Sequence, residues 1–231
     1  MSPATTARKI DDLLSKAEKS LRRKRYFEAE RLAGEALLIA RQERDYQRMA
    51  TIIPPLQKAR QARLALAVDI GGVTILNAPF TEGDEIEPGA YLVRPPMVGV
   101  DGRRFRLAAF ALDVPVAVVC HEPITQLGLC PLVALSGNVV VRTKIDPPAD
   151  PDDPDLPWLL DAMQALGDWA IESMDTQLAP ERYIDELLSR IDAIPEHDGL
   201  HECLEAACRQ EAEAAAAVPP AGGGRKRKAK P

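Results

Sequence analysis

Apolar residues recur at helical spacing through the first third of the chain. Ile10, Leu13, Leu14, Ala17 and Leu21 follow at steps of three and four, which puts them on one face of a helix over residues 6–24. Ala29, Leu32, Ala33, Ala36, Leu37 and Ala40 repeat the pattern over residues 26–42, after a short interruption around Arg25. A third helix over residues 45–67 carries Tyr46, Met49, Ala50, Ile53, Leu56 and Ala59 on its apolar side. Pro54-Pro55 falls inside it. Proline has no N–H to donate and crowds the residue before it, so a kink or break is expected there.

After Asp69-Ile70-Gly71-Gly72 the period changes. Residues 73–76 and 91–93 read as strands, separated by an acidic, turn-rich stretch at 79–89. Asp101 is the expected N-cap of a helix whose buried stripe is Phe105, Ala108, Ala109 and Leu112. Residues 116–119 are uninterruptedly apolar, as in a strand covered on both faces. Strand, helix and strand in that order predict a βαβ unit. Two more strands, 132–135 and 139–145, are joined by Gly137-Asn138, a pair suited to a tight hairpin. A Pro- and Asp-rich linker at 146–157 leads into helices expected over 157–174, 180–194 and 199–217.

The fold class read from this pattern is mixed, α+β: an N-terminal helical hairpin, then a small mixed-sheet α/β domain containing one βαβ unit, then C-terminal helices. The expected division is a basic helical module at 1–68, the sheet domain at 69–146, acidic helices packing on it at 147–218, and a flexible basic tail at 219–231. The change of period shortly after Ala67 predicts two halves with independent cores.

Tyr26, Ala29, Ala33, Ala36 and Leu37 have the spacing of the second helix of a tetratricopeptide repeat, where small residues let helices approach closely. The segment resembles about one such repeat. Lys16, Ala17 and Ser20 stand where the family's first helix carries a large-small-aromatic pattern, and no second copy follows at a period of about 34 residues. The resemblance implies a helical hairpin of the kind that presents a surface to peptides or partner proteins.

Charge sharpens this picture. The net charge of −6 conceals a strong asymmetry: residues 1–65 carry 15 basic and 8 acidic side chains, whereas residues 145–220 carry 3 and 19. The basic hairpin and the acidic helices are therefore expected to attract each other, within one chain or between two. Four cysteines without a tight repeated spacing argue against a disulfide framework. No apolar run is long enough to span a bilayer, and the first residues lack the apolar stretch of a secretion signal, so the expected location is cytoplasmic, with no membrane contact.

Candidate chemistry is sparse. Arg22, Arg23, Lys24 and Arg25 form a basic patch at the hairpin turn, suited to a protein partner with an acidic surface. In an open parallel sheet, ligands bind beyond the carboxyl ends of the strands. The segments that arrive there are Arg94 to Asp101, and Cys120, His121 and Glu122, which become neighbours if their strands are adjacent and parallel. There Arg94 and Asp101's helix start would favour an anion, with Cys120 as nucleophile and His121 and Glu122 as acid and base. Neither the dinucleotide fingerprint nor the P-loop lysine is present. His197, His201 and Cys208 lie near one helix, yet there is no CxxC, so no metal and no cofactor is expected. The basic tail, Arg225 to Lys230, lacks interleaved aromatics and would hold nucleic acid only weakly. These observations favour a non-enzymatic interaction or scaffold protein. The alternative is a ligand-binding or enzymatic α/β domain working at the strand ends.

Overall fold

In the computed structural model, residues 3–81, 83–137 and 139–217 are described. Three helices come first: α1 (Pro3–Arg22), α2 (Tyr26–Gln42) and α3 (Tyr46–Val68). They stack closely because the seam is built of alanines: Ala17, Ala33, Ala36 and Ala40 have no exposed surface at all. This three-helix stack is compatible with a helical-repeat-like hairpin. Asp45 caps α3 by accepting the Arg48 N–H at 3.0 Å.

The two interhelical turns are copies of each other. Arg25 N–H donates to the Ser20 carbonyl at 2.9 Å and Asp45 N–H to the Ala40 carbonyl at 2.8 Å. Lys24 and Arg44 occupy the same left-handed position, at φ 60° and 56°. Each turn is followed by a tyrosine that begins the next helix.

The break expected at Pro54-Pro55 does not occur; α3 runs through both prolines. Ile52, Ile53 and Leu56 on either side are fully buried. Their packing holds the helical path where the two missing backbone donors alone would bend it.

The sheet follows. β1 (Val73–Leu76), β2 (Gly89–Val93) and β3 (Val116–Cys120) pair side by side in parallel. β4 (Cys130–Ser136) and β5 (Val139–Ile145) form an antiparallel hairpin that closes at Ser136 opposite Val139; Asn138 of the expected turn lies outside the described residues. An antiparallel bridge between His121 and Leu132 joins the hairpin to β3. Helix α4 (Gly99–Ala111) connects β2 to β3, giving the expected βαβ unit. Asp101 is not its N-cap. The helix starts three residues earlier than such a cap implies, with Val98 in the capping position, and Asp101 reaches back from the first turn to accept the Val98 N–H at 2.9 Å.

Strand alternation sorts the layers. Ala90, Leu92, Ala117 and Val119 enter the main core, together with α3 and the C-terminal helices. Tyr91, Val93, Val116 and Cys120 enter two smaller clusters on the opposite face, which α4 covers through Phe105 and Ala109.

Helices α5 (Leu156–Glu172), α6 (Pro180–Ala193) and α7 (Asp198–Ala217) complete the chain. Asp155 caps α5 through the Trp158 N–H at 2.8 Å. Buried apolar residues of both expected halves fall in one cluster. One buried cluster takes in Ile10 of α1, Met49 and Ile52 of α3, Leu92, Leu132, Leu159, Ile184, Leu187, Leu200 and Leu204. The reason is α3: one side packs on α2, and α7, β2 and β3 pack elsewhere along it. The charge asymmetry is also resolved within the chain, because Arg41 meets Asp185 at 2.7 Å and Arg44 meets Glu181 at 3.1 Å, both on α6. No described helix is long and apolar enough to cross a membrane. The basic tail lies outside the described residues.

Candidate functional site

The first interhelical turn places Arg22, Arg23, Lys24 and Arg25 together, all exposed. Arg25 meets Glu28 at 3.0 Å and Arg22 reaches Glu18 only at 3.9 Å, both acids belonging to the same two helices. Arg23 and Lys24 make no ion pair among the described residues. At the second turn the cations Arg41 and Arg44 are taken up by α6, whereas the ion pairs of the first turn stay within α1 and α2.

At the carboxyl edge of the sheet, β2 and β3 are adjacent and parallel with Val93 opposite Cys120, so Arg94 and His121 are brought side by side on the backbone. Their side chains then diverge. Arg94 donates to the Pro151 carbonyl at 3.0 Å and to Asp152 at 3.1 Å, pinning the linker before α5. His121 Nδ1 lies 2.8 Å from the Glu122 carbonyl oxygen. The Glu122 carboxylate turns to Arg142 of β5 at 3.1 Å. Cys120 is only 5% exposed, and burial, with help from Glu122 and Asp101, pushes its thiol up to about 12. A thiol so placed is protonated at neutral pH, and the thiolate is the nucleophilic form.

A second constellation joins His201 and His197, weighed above only as metal ligands, to residues that the sequence pattern did not single out. Glu30 on α2 accepts from Arg60 Nε at 2.9 Å and Arg63 Nε at 2.5 Å on α3. Arg63 is buried and lies against the rings of Phe27 and Phe110, its guanidinium carbon 5.1 and 5.2 Å from their centroids. Its other edge faces Glu196 at 3.9 Å. Arg60 meets His201 Nε2 at 3.2 Å, while His201 Nδ1 lies 2.9 Å from the His197 carbonyl. The network assigns the tautomer: Nδ1 donates to the carbonyl, so Nε2 carries the lone pair that accepts from Arg60. Burial, then the charge of Arg60, lowers His201 to about 4, which keeps the ring neutral at physiological pH. His197 stacks over Gly167 of α5, where a methyl group would overlap the ring at 2.0 Å.

One signal for this constellation was present in the sequence. Leu56, Ala59, Arg63 and Ala67 form a single buried stripe at steps of three and four, and Arg63 is the charged member of it. A charged residue in an apolar register has to find its counter-charge inside the protein.

Across α4 the polar interior continues. Arg106 donates to the Asp192 backbone carbonyl at 2.6 Å, and Arg103 reaches the Asp192 carboxylate at 3.4 Å. The same carboxylate accepts from the Ser136 hydroxyl. Both arginines line a cavity of about 40 Å³ between the first turn of α4, β4, α5 and the α6–α7 connection. Compared with protein-family models, curated proteins and solved structures, the chain matches none of them.

Proposed function

We propose that this chain is a non-enzymatic interaction protein that holds an acidic partner protein at the tip of its first helical hairpin. The observation that carries the reading is the unequal use of two copies of one turn. Arg41 and Arg44 are consumed by α6, while among the described residues Arg22 and Arg25 pair only with Glu18 and Glu28 of their own two helices, and Arg23 and Lys24 make no ion pair. Four adjacent like charges repel one another, and a partner carboxylate relieves that repulsion. The non-enzymatic part of the reading is supported by the strand ends, where Arg94, Asp101 and Glu122 are engaged in structural bonds and Cys120 is a buried thiol.

The test is binding of a fluorescent poly-glutamate peptide to the full chain, followed by anisotropy at low and physiological salt. Replacing Arg22, Arg23, Lys24 and Arg25 by Gln should weaken binding at least tenfold, and wild-type binding should fall steeply with salt. Unchanged affinity in a variant with an unchanged circular-dichroism spectrum would refute the assignment.

A further inference from the structure

The arginines of α4 are unevenly paired. Arg106 is half-buried and makes no ion pair among the described residues; its contact to Asp192 is with the backbone carbonyl, which carries no charge. Arg103 shares the Asp192 carboxylate with Ser136, and its Nε is enclosed by protein without a hydrogen-bond partner. Glu196, the acid on the cavity wall, faces Arg63 of the neighbouring network. Two guanidinium groups and one carboxylate thus line the cavity, and arginine cannot shed its charge by losing a proton. Arg106 is met only at longer range by the charges of Asp192 and Glu196, and a partly buried cation gains when an anion reaches it directly.

The remaining walls suit an oxyanion. Gly99 and Gly102, in the first turn of α4, line the same space; the Asp101 and Gly102 N–H groups are taken by the Val98 carbonyl, so this turn contributes chiefly the positive end of the helix dipole. Val133 and Leu135 close the opposite side with apolar surface, which strengthens any charge interaction within. The cavity volume of about 40 Å³ takes about three water-sized groups at 10–15 Å³ each, the scale of a phosphate or carboxylate group.

We propose that this cavity is a binding site for a small oxyanion, a phosphate or carboxylate group, held by Arg103 and Arg106 against the first turn of α4. Arginine's planar fork suits such groups, offering two parallel N–H donors to two oxygens. The site lies under α4 and has Cys120 in its lining, while the side chains of Arg94 and His121 are occupied at the sheet edge. The inference stands independently of the partner surface at 22–25.

The experiment is a two-dimensional amide NMR titration of the isotope-labelled full chain with inorganic phosphate, and separately with acetate, at fixed ionic strength. The expected result is saturable movement of the Gly99 and Gly102 amide signals. Movement with phosphate alone identifies a phosphoryl ligand, and movement with both identifies a site that also takes carboxylates. Arg103→Gln should weaken the affinity at least tenfold, and Arg106→Lys, which keeps the charge and removes the fork, should weaken it as well. If Arg103→Gln fails to fold, the Arg106→Lys comparison carries the test. Movement confined to residues 22–25, or no saturable change at Gly99 and Gly102 with either anion, would overturn the site.

Discussion

Arg63 of α3 donates its Nε to the Glu30 carboxylate of α2 at 2.5 Å, and both side chains are buried. Arg60, which is partly exposed, shares the same carboxylate, so one buried acid serves two cations across a helix–helix seam. Burial by itself pushes the Glu30 carboxyl upward, but the two guanidinium groups outweigh it and hold the group below its ordinary value of 4.5.

Removing that acid strands two charges. Glu30→Gln is expected to cost about 3 to 5 kcal/mol of stability at pH 7, the range for breaking a buried pair from one side. Because the folded value lies below the unfolded one, the contribution is present above pH 4.5 and is lost as pH falls through the depressed folded value. Urea unfolding of both proteins between pH 7 and pH 3 checks this. The gap between them should narrow in acid; a gap below 1 kcal/mol at pH 7 would show that the pair is not enclosed.

His201 gives a second acid-sensitive term in a different window. Its folded value of about 4 lies below the ordinary 6.5, so between those two values the unfolded chain takes up a proton that the folded chain refuses. Stability is full above about pH 6.5 and declines as pH falls toward 4, by about 3 kcal/mol in all. His201→Gln should lower stability at pH 7 yet flatten the slope between pH 6.5 and 4 relative to wild type. Parallel slopes in the two proteins would mean that His201 is protonated in the fold.

The cysteines test the reading of the sheet edge. Burial raises Cys120 and Cys208 to about 12 and Cys130 to about 11, whereas Cys203 is only half-buried. In the folded protein at pH 8, a thiol-labelling reagent followed by peptide mass analysis should modify Cys203 first and Cys120 at least tenfold more slowly. Fast labelling of Cys120 would restore it as a candidate nucleophile.

Much of the fold was legible in the periodicity. Ile10, Leu13 and Ala17, or Leu159, Met163 and Leu166, are buried where their spacing placed them, because a helix buries one stripe whatever its partner. The βαβ unit followed from the single apolar run at 116–119 between turn signals. What escaped were features decided by distant partners. Pro54-Pro55 reads as a break because local geometry disfavours it, and only the burial of Ile52, Ile53 and Leu56 overrides it. Glu30, Arg60 and Arg106 look like solvated helix faces and Glu196 like a loop residue, since the groups that enclose them are as many as 141 residues away, the separation of Arg60 and His201. The basic tip was visible because it depends on four consecutive residues and on no partner within the chain.

Unfolding monitored by two probes tests the single core on which this account rests. Both tryptophans, Trp158 and Trp169, lie on α5, so their fluorescence reports the C-terminal layer while far-ultraviolet circular dichroism reports every helix. Leu56→Ala removes a buried side chain from α3 at an expected cost of about 2 to 5 kcal/mol. A shared core predicts coincident urea transitions for the two probes and the same downward shift in both for the variant. A fluorescence transition left in place while the dichroism separates into two steps would contradict it.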